Sequence, residues 1–183
     1  MRRPLRTGWW RPLLLGTLVA AVALRGGASR HDDGGDPGGL YAGATLRARV
    51  TEVTDGDTVA VALEDGHSER VRYIGVDTPE SNPHEPIQCF GPEAKAANER
   101  LVGGRQVVLV VGAEARDDYG RLLAYVHRPA TRGAGFFVNA ALVRRGFART
   151  LTIAPNDERA PLLRRLESAA GRAGRGLWGV CGT

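Results

Sequence analysis

Residues 55–80 read DGDTVAVALEDGHSERVRYIGVDTPE, and the spacing of their apolar side chains decides the fold class. Val59, Val61 and Leu63 alternate with small residues, and Val71 and Tyr73 continue the pattern, which predicts two half-buried strands. Asp65-Gly66 between them is a hairpin-turn pair. Upstream, Leu46 to Val53 reads as another strand, ending at the Thr54-Asp55-Gly56-Asp57 turn. Downstream, Val107 to Val111 is a continuous apolar run of strand length, and Leu122 to His127 is a further β segment. Three helices interrupt these strands. The first starts at Pro92, a good first helical residue, and stops at Gly103-Gly104. The second runs from Asn139, read as its N-cap, to the C′ glycine Gly146. The third covers Ala160 to Ala170, with Pro161 in its first turn and Leu162, Leu163, Leu166 and Ala170 on one face. The class is mainly β with helices (α+β). Five short strands and three helices suit a small Greek-key barrel, although periodicity alone leaves other α+β arrangements open.

The chain of 183 residues has room for one domain with a tail. Its 43% hydrophobic and 25% charged residues exclude a wholly disordered chain. A formal charge of +5 looks like a nucleic-acid binder's. Residues 1–28, however, hold five arginines and no acid, so they carry the whole surplus. From Ser29 onward 20 basic residues balance 20 acidic ones, and net charge says nothing of what the body of the protein binds.

Residues 1–28 have the order of an export signal: Arg2, Arg3, Arg6 and Arg11, an apolar run from Leu13 to Leu24, then Gly26, Gly27 and Ala28. That run, as a helix, spans about 18 Å, short of a hydrocarbon core of about 30 Å. The expectation is a cleaved signal and a secreted or extracytoplasmic protein. An uncleaved anchor lengthened by Trp9 and Trp10 is the alternative, and would be the only contact with a membrane. Residues 29–44 are glycine-rich without an apolar period and read as a flexible linker, which leaves residues 45–183 as the folded domain. Cys89 and Cys181 are the only cysteines. In an oxidising compartment an isolated pair tends to bridge, two buried thiols being the other reading.

A hairpin centred on Gly66-His67 sets Val61 against Tyr73, Val59 against Gly75 and Asp57 against Asp77. Two carboxylates in register repel, so a positive group belongs between them. The oxygen-rich set Asp55, Asp57, Asp77 and Thr78 favours a hard cation such as calcium. Asp-Gly-Asp and Val-Asp-Thr-Pro are also ordinary turn sequences. Glu80 stands where the chain enters a polar, proline-rich loop, a place from which a carboxylate can act as base on water; taken singly, it reads as a surface residue. Arg72 is a large cation among small strand residues. Strict alternation puts it on the face opposite Asp77, so the two meet only through a bend or bulge near Gly75. Arg121 follows the Asp117-Asp118-Tyr119-Gly120 turn and by itself reads as a solvated arginine.

Taken together, these motifs resemble the staphylococcal nuclease (thermonuclease) family. The likeness rests on Asp55-Gly56-Asp57-Thr58-Val59, Arg72 with Val76-Asp77-Thr78-Pro79-Glu80, Gly91-Pro92-Glu93-Ala94 and Asp118-Tyr119-Gly120-Arg121. Asn139-Ala140-Ala141-Leu142-Val143 and Gly176-Leu177-Trp178 extend it, so that it covers residues 45–180 in order. The resemblance implies a five-stranded Greek-key OB-fold barrel with three α-helices. It implies calcium held by the Asp57 and Asp77 carboxylates and the Thr78 carbonyl, with Glu80 orienting or deprotonating water. Arg72 and Arg121 would hold the scissile phosphate, and Tyr119 would contact the phosphate end of the nucleotide. The activity implied is that of an exported, calcium-dependent, sugar-nonspecific nuclease. Its substrates would be single-stranded or frayed DNA and RNA, its products 3′-phosphate and 5′-hydroxyl ends, and its state monomeric.

Departures from the family pattern fall on the grip rather than the chemistry. Leu151 and Ile153 stand where the family's best-known member has two tyrosines flanking the bound base, and Asp118 stands where a lysine is expected beside the phosphate. His31, His67, His84 and His127 match no catalytic position. Two other readings remain at this point. One is a non-catalytic OB-fold module that binds nucleic acid; joint retention of Asp57, Asp77, Glu80, Arg72 and Arg121 speaks against it. The other is a structural or peptide-binding domain at the cell surface.

Overall fold

A computed structural model describes residues 41–81, 86–130 and 135–181, all within one compact unit that spans Gly34–Thr183. The expected export segment and most of the linker lie outside the described residues, as do His31 and His84. The five expected strands all form: β1 (Thr45–Asp55), β2 (Thr58–Leu63), β3 (Ser68–Tyr73), then, after a two-residue strand β4 (Val76–Asp77) and helix α1 (Gly91–Val102), β5 (Gln106–Arg116) and β6 (Leu122–Arg128). They pair in the order β3-β2-β1-β5-β6, and a parallel pairing of β3 with β6 closes the sheet into a barrel. The remaining elements are β7 (Phe136–Phe137), α2 (Val138–Arg144), β8 (Arg149–Thr150), α3 (Ala160–Arg172) and a short α4 (Leu177–Val180).

Val59, Val61, Val71, Leu109, Leu122 and Val126 fill the barrel with no exposed surface. Each such side chain contributes about 1.5–3 kcal/mol through burial. The helices sit outside this core, α1 against β1, α2 against β6 and α3 against α2. Tyr41 and Ala44, at the end of the glycine-rich stretch, pack on the core, and the Val111 N–H donates to the Ala44 carbonyl at 2.8 Å.

Two details of β1 matter for the site. Its inward residues run Ala48, Val50, then Val53 and Asp55, a phase change at the register shift between Val50 and Glu52. The extra residue of that bulge turns the strand's end so that Asp55 faces inward. At the β2–β3 hairpin the pairs are Thr58↔Arg72, Val59↔Val71 and Ala62↔Ser68. The register expected from sequence, with Asp57 opposite Asp77, is therefore wrong. The connection is a three-residue loop, Glu64 to Gly66, closed by the Leu63 N–H donating to the His67 carbonyl. Gly66 takes the left-handed conformation (φ 91°) that such a loop demands. The hairpin centre thus falls on Asp65.

Asn139 is a second correction. α2 starts at Val138 with Phe137 as its N-cap and no side-chain cap. The Asn139 amide is instead fully buried: its Oδ1 accepts from the Val126 N–H at 2.9 Å and its Nδ2 donates to the Ile74 carbonyl at 2.8 Å. A capping residue and a buried amide that ties a strand to a neighbouring turn look alike in sequence. Gly146, by contrast, ends the helix with φ 76°, as a C′ glycine does. Cys89 and Cys181 form a disulfide with Cα atoms 5.8 Å apart, tying the residue after α4 to the segment before α1.

Candidate active site

Asp57 and Asp77 meet despite the register, because the chain reverses between β3 and β4. Gly75 makes the reversal with φ 79°, and the Leu163 side chain occupies the space where a Cβ would stand. This is the bend that Arg72 needs to reach Asp77. Arg72 then lies between the two carboxylates: Nη1 is 2.7 Å from Asp57 Oδ2 and Nη2 is 2.9 Å from Asp77 Oδ1. Nη1 also donates to the Val76 carbonyl at 2.9 Å. The positive group that two facing carboxylates call for is, within the protein itself, this guanidinium.

Asp57 is 4% exposed and accepts at Oδ2 from both the backbone N–H and the hydroxyl of Thr78, at 2.8 and 2.9 Å. Its Oδ1 accepts from the Thr58 hydroxyl at 3.1 Å. Burial pushes the Asp57 carboxyl above its ordinary range; Arg72 and the Thr78 hydrogen bonds pull it back, and the nearby Asp55 adds to the rise. Two carboxylates share one cation, and every donor atom is oxygen. That chemistry suits a hard divalent ion rather than a soft one. Among the described residues no group of three or more His, Cys, Asp or Glu gathers to hold a metal ion.

Glu80 lies three residues beyond Asp77, and its backbone is clamped. Its N–H donates to Gln88 Oε1 at 3.2 Å, and the Gln88 N–H donates to its carbonyl at 3.0 Å. Gly91 passes so close that a Cβ there would strike the Glu80 carbonyl. The disulfide at Cys89 anchors the far side of that clamp.

Arg72, Tyr119 and Arg121 line one cleft of about 510 Å³, together with Asp118, Leu151 and Ile153. Arg121 uses Nε to pair with Asp117 Oδ2 at 2.7 Å, and Tyr119 stacks on its guanidinium at 5.3 Å. Neither Nη of Arg121 has a hydrogen-bond partner among the described residues, which leaves the end of the fork open to an anion. Tyr119 is 78% exposed, and Leu151 and Ile153 are 41% and 60% exposed. Of the other histidines, His67 pairs with Asp65 in the hairpin loop and His127 stacks on Phe137 at 4.7 Å. Burial, with help from Arg159, lowers the His127 pKa.

Sequence reasoning missed the amides that hold the site up. Asn98 is fully buried; it accepts from the Tyr73 hydroxyl at 3.1 Å and donates to the Asp55 carbonyl at 3.0 Å. The Ser81 hydroxyl donates to Asp55 Oδ1 at 2.6 Å, fixing the chain just past Glu80 to the end of β1. Asn156 exchanges two hydrogen bonds with the backbone of Glu114, pinning the Leu151–Asn156 wall to β5. A lone Asn in a helix or loop carries no sequence signal for such a role.

Comparison with known proteins agrees with this geometry. The family model described as "Staphylococcal nuclease homologue" matches residues 70–180. The thermonuclease of Staphylococcus intermedius is 37% identical over 130 residues, covering 70% of this chain and 74% of that protein. The thermonuclease of Staphylococcus hyicus is 34% identical over 131 residues, covering 71% and 74%. Endonuclease YncB of Bacillus subtilis is 34% identical over 140 residues, covering 75% and 64%. With a matched model over most of the folded chain and relatives alike along their greater part, this protein belongs to the staphylococcal nuclease family.

Proposed function

We propose that the protein is an exported, calcium-dependent, sugar-nonspecific nuclease that hydrolyses phosphodiester bonds in single-stranded or frayed DNA and in RNA. The observation that carries the reading is that Arg72, on which the Asp57 and Asp77 carboxylates converge, lines one cleft with Arg121, whose guanidinium end is open. A divalent cation held by Asp57, Asp77 and the Thr78 carbonyl would supply further positive charge against the phosphate. Arg72 and Arg121 bind the scissile phosphate. Its negative charge grows as water attacks in line, so both contacts strengthen toward the transition state. Glu80 orients the attacking water and accepts its proton, which requires a fixed backbone, and the Gln88 clamp supplies one. The water oxygen bonds to phosphorus, its proton passing to Glu80; the bond from phosphorus to the 5′-oxygen breaks, and that oxygen takes a proton from solvent and leaves as a hydroxyl. The polarity of the product ends is carried by the family likeness alone.

Export is part of the same proposal, supported by the basic-then-apolar order of residues 1–28 and by the Cys89–Cys181 bridge, which suits an oxidising compartment. The test of the activity is hydrolysis of a labelled single-stranded oligonucleotide in calcium, in magnesium and in excess chelator. Calcium tolerates a partial, irregular oxygen shell better than magnesium does. Cleavage is expected in calcium, to be weak in magnesium and to stop with chelator; full cleavage in chelator would overturn the metal requirement.

A further inference from the structure

The zero net charge of the body conceals a division. Residues 45–130, the barrel strands with α1, hold ten basic and fourteen acidic residues, a net of −4. Residues 138–181, the helical segment, hold eight arginines and three acids (Asp157, Glu158, Glu167), a net of +5. All eight arginines are exposed. Along α3, Arg164, Ser168 and Arg172 recur at four-residue spacing, so they form one stripe that climbs about 12 Å. Arg165 stands beside it, and with Pro161 these residues shape an open groove of about 670 Å³. Arg164, Arg165 and Arg172 have no side-chain partner among the described residues. On the same segment Arg159 pairs with Glu158, and Arg149 stacks on Trp178 at 4.5 Å.

The cleft is electrostatically poor at collecting its own substrate. Glu114, Asp117 and Asp118 line it, so its mouth repels a long polyanion even though Arg72 and Arg121 can hold one phosphate. α3 itself borders that cleft through its buried face, and the stripe is on its exposed face. Asn156 is a cleft residue, α3 begins at Ala160, and Leu163 of α3 packs against Gly75 of the cleft. Resting on the nuclease reading for the identity of the substrate, we propose that the exposed face of α3, built by Arg164, Arg165 and Arg172, is a second binding surface for the sugar-phosphate backbone of the nucleic acid. It holds chain outside the cleft without reading bases, and it makes long substrates better than short ones.

The test uses the full chain with calcium and two probes, a labelled 30-nucleotide single strand and a dinucleotide phosphodiester. The triple variant Arg164→Gln, Arg165→Gln, Arg172→Gln is compared with a control of equal charge change on the acidic region, Arg70→Gln, Arg47→Gln, Arg100→Gln. Counterion release from single strands gives a slope of roughly 0.7 per phosphate contact in log affinity against log salt. The α3 variant should lose about 2 from that slope and bind the 30-mer roughly tenfold or more weakly at low salt. Its dinucleotide turnover should equal that of the wild type, and the barrel control should keep the wild-type slope. Equal slopes for the α3 variant and the wild type would overturn the proposal, as would an equal loss in the barrel control, which would mean only net charge. Retained oligonucleotide binding with lost binding to phosphatidylglycerol vesicles would also overturn it and assign the face to a membrane. Binding is read independently of cleavage: a wild type that cleaves neither probe sinks the nuclease reading, while the slope still decides the face.

Discussion

At one end of the candidate site Arg72, which lines the cleft, is held by Asp57, Asp77 and the Val76 carbonyl, and along the chain from Asp77 the backbone of Glu80 is clamped by Gln88. At the other end Tyr119, Leu151 and Ile153 stand in the open, with only Arg121 stacked beneath the tyrosine. The first region is fixed by these ion pairs and hydrogen bonds. The second offers apolar area and one exposed ring but no donor aimed at a base. Under the proposed function, the difference makes bond cleavage and substrate grip separable, so that each can be altered without the other.

The largest effect should come from the two arginines of the cleft, Arg72 at the held end and Arg121 at the open one. Arg72→Ala and Arg121→Ala should each cost on the order of a hundredfold or more in kcat. The two will differ in stability. Arg121 is partly exposed and pairs with a partly exposed Asp117, so its loss should move stability by no more than about 1 kcal/mol. Removing Arg72 strands the buried Asp57 carboxylate, a loss of about 3–5 kcal/mol. Arg72→Lys should recover much of that stability but not the bidentate grip on phosphate, and so not the rate. Steady-state kinetics beside thermal melts will separate these outcomes; equal melts for the two alanine variants would show that Asp57 is not buried as described.

Next in size is the bridge that backs the Glu80 clamp. Cys89 and Cys181 are 92 residues apart, and chain entropy allows a stabilisation of roughly 4–5 kcal/mol for such a loop, less any native strain. Wild-type protein should melt lower under reductant, and Cys181→Ser should melt low with or without it. Two free thiols per chain in unfolded, secreted protein would break both the bridge and the export proposal.

The smallest effect sharpens the open end. Leu151→Tyr with Ile153→Tyr should tighten Kd for a short single strand, since stacking contributes roughly 1–3 kcal/mol per base, and should leave kcat nearly unchanged. Titration measures it directly. Unchanged affinity would show that bases do not touch this wall.

Much of this was legible in the sequence, for reasons particular residues make plain. Val59, Val61 and Leu63 alternate because one face of β2 is buried, and Pro92 and Gly146 mark helix ends through fixed backbone preferences. The register was not legible. Turn preference leaves the loop's centre open: centred on Asp65 rather than at Gly66-His67, it pairs Val61 with Glu69 instead of Tyr73, and the partner of every residue in β2 moves by four positions. The meeting of Asp57 with Asp77 was inferred from that wrong register, yet the reversal at Gly75 brings it about by another route. Buried amides such as Asn98, Asn139 and Asn156 were invisible because their partners are backbone groups far along the chain. The charge division was present in the residue list all along, and summing over the whole body erased it.

The central claim, that a preformed cluster performs the chemistry while substrate is held elsewhere, meets its most direct test in Glu80→Gln. The substitution keeps the shape of the side chain and removes only its ability to take a proton from water. Binding of a labelled single strand, measured by titration in calcium, should match the wild type, while single-turnover cleavage of the bound strand should fall by on the order of a hundredfold or more. Wild-type cleavage by the variant, or a loss of binding that matches the loss of rate, would contradict the account.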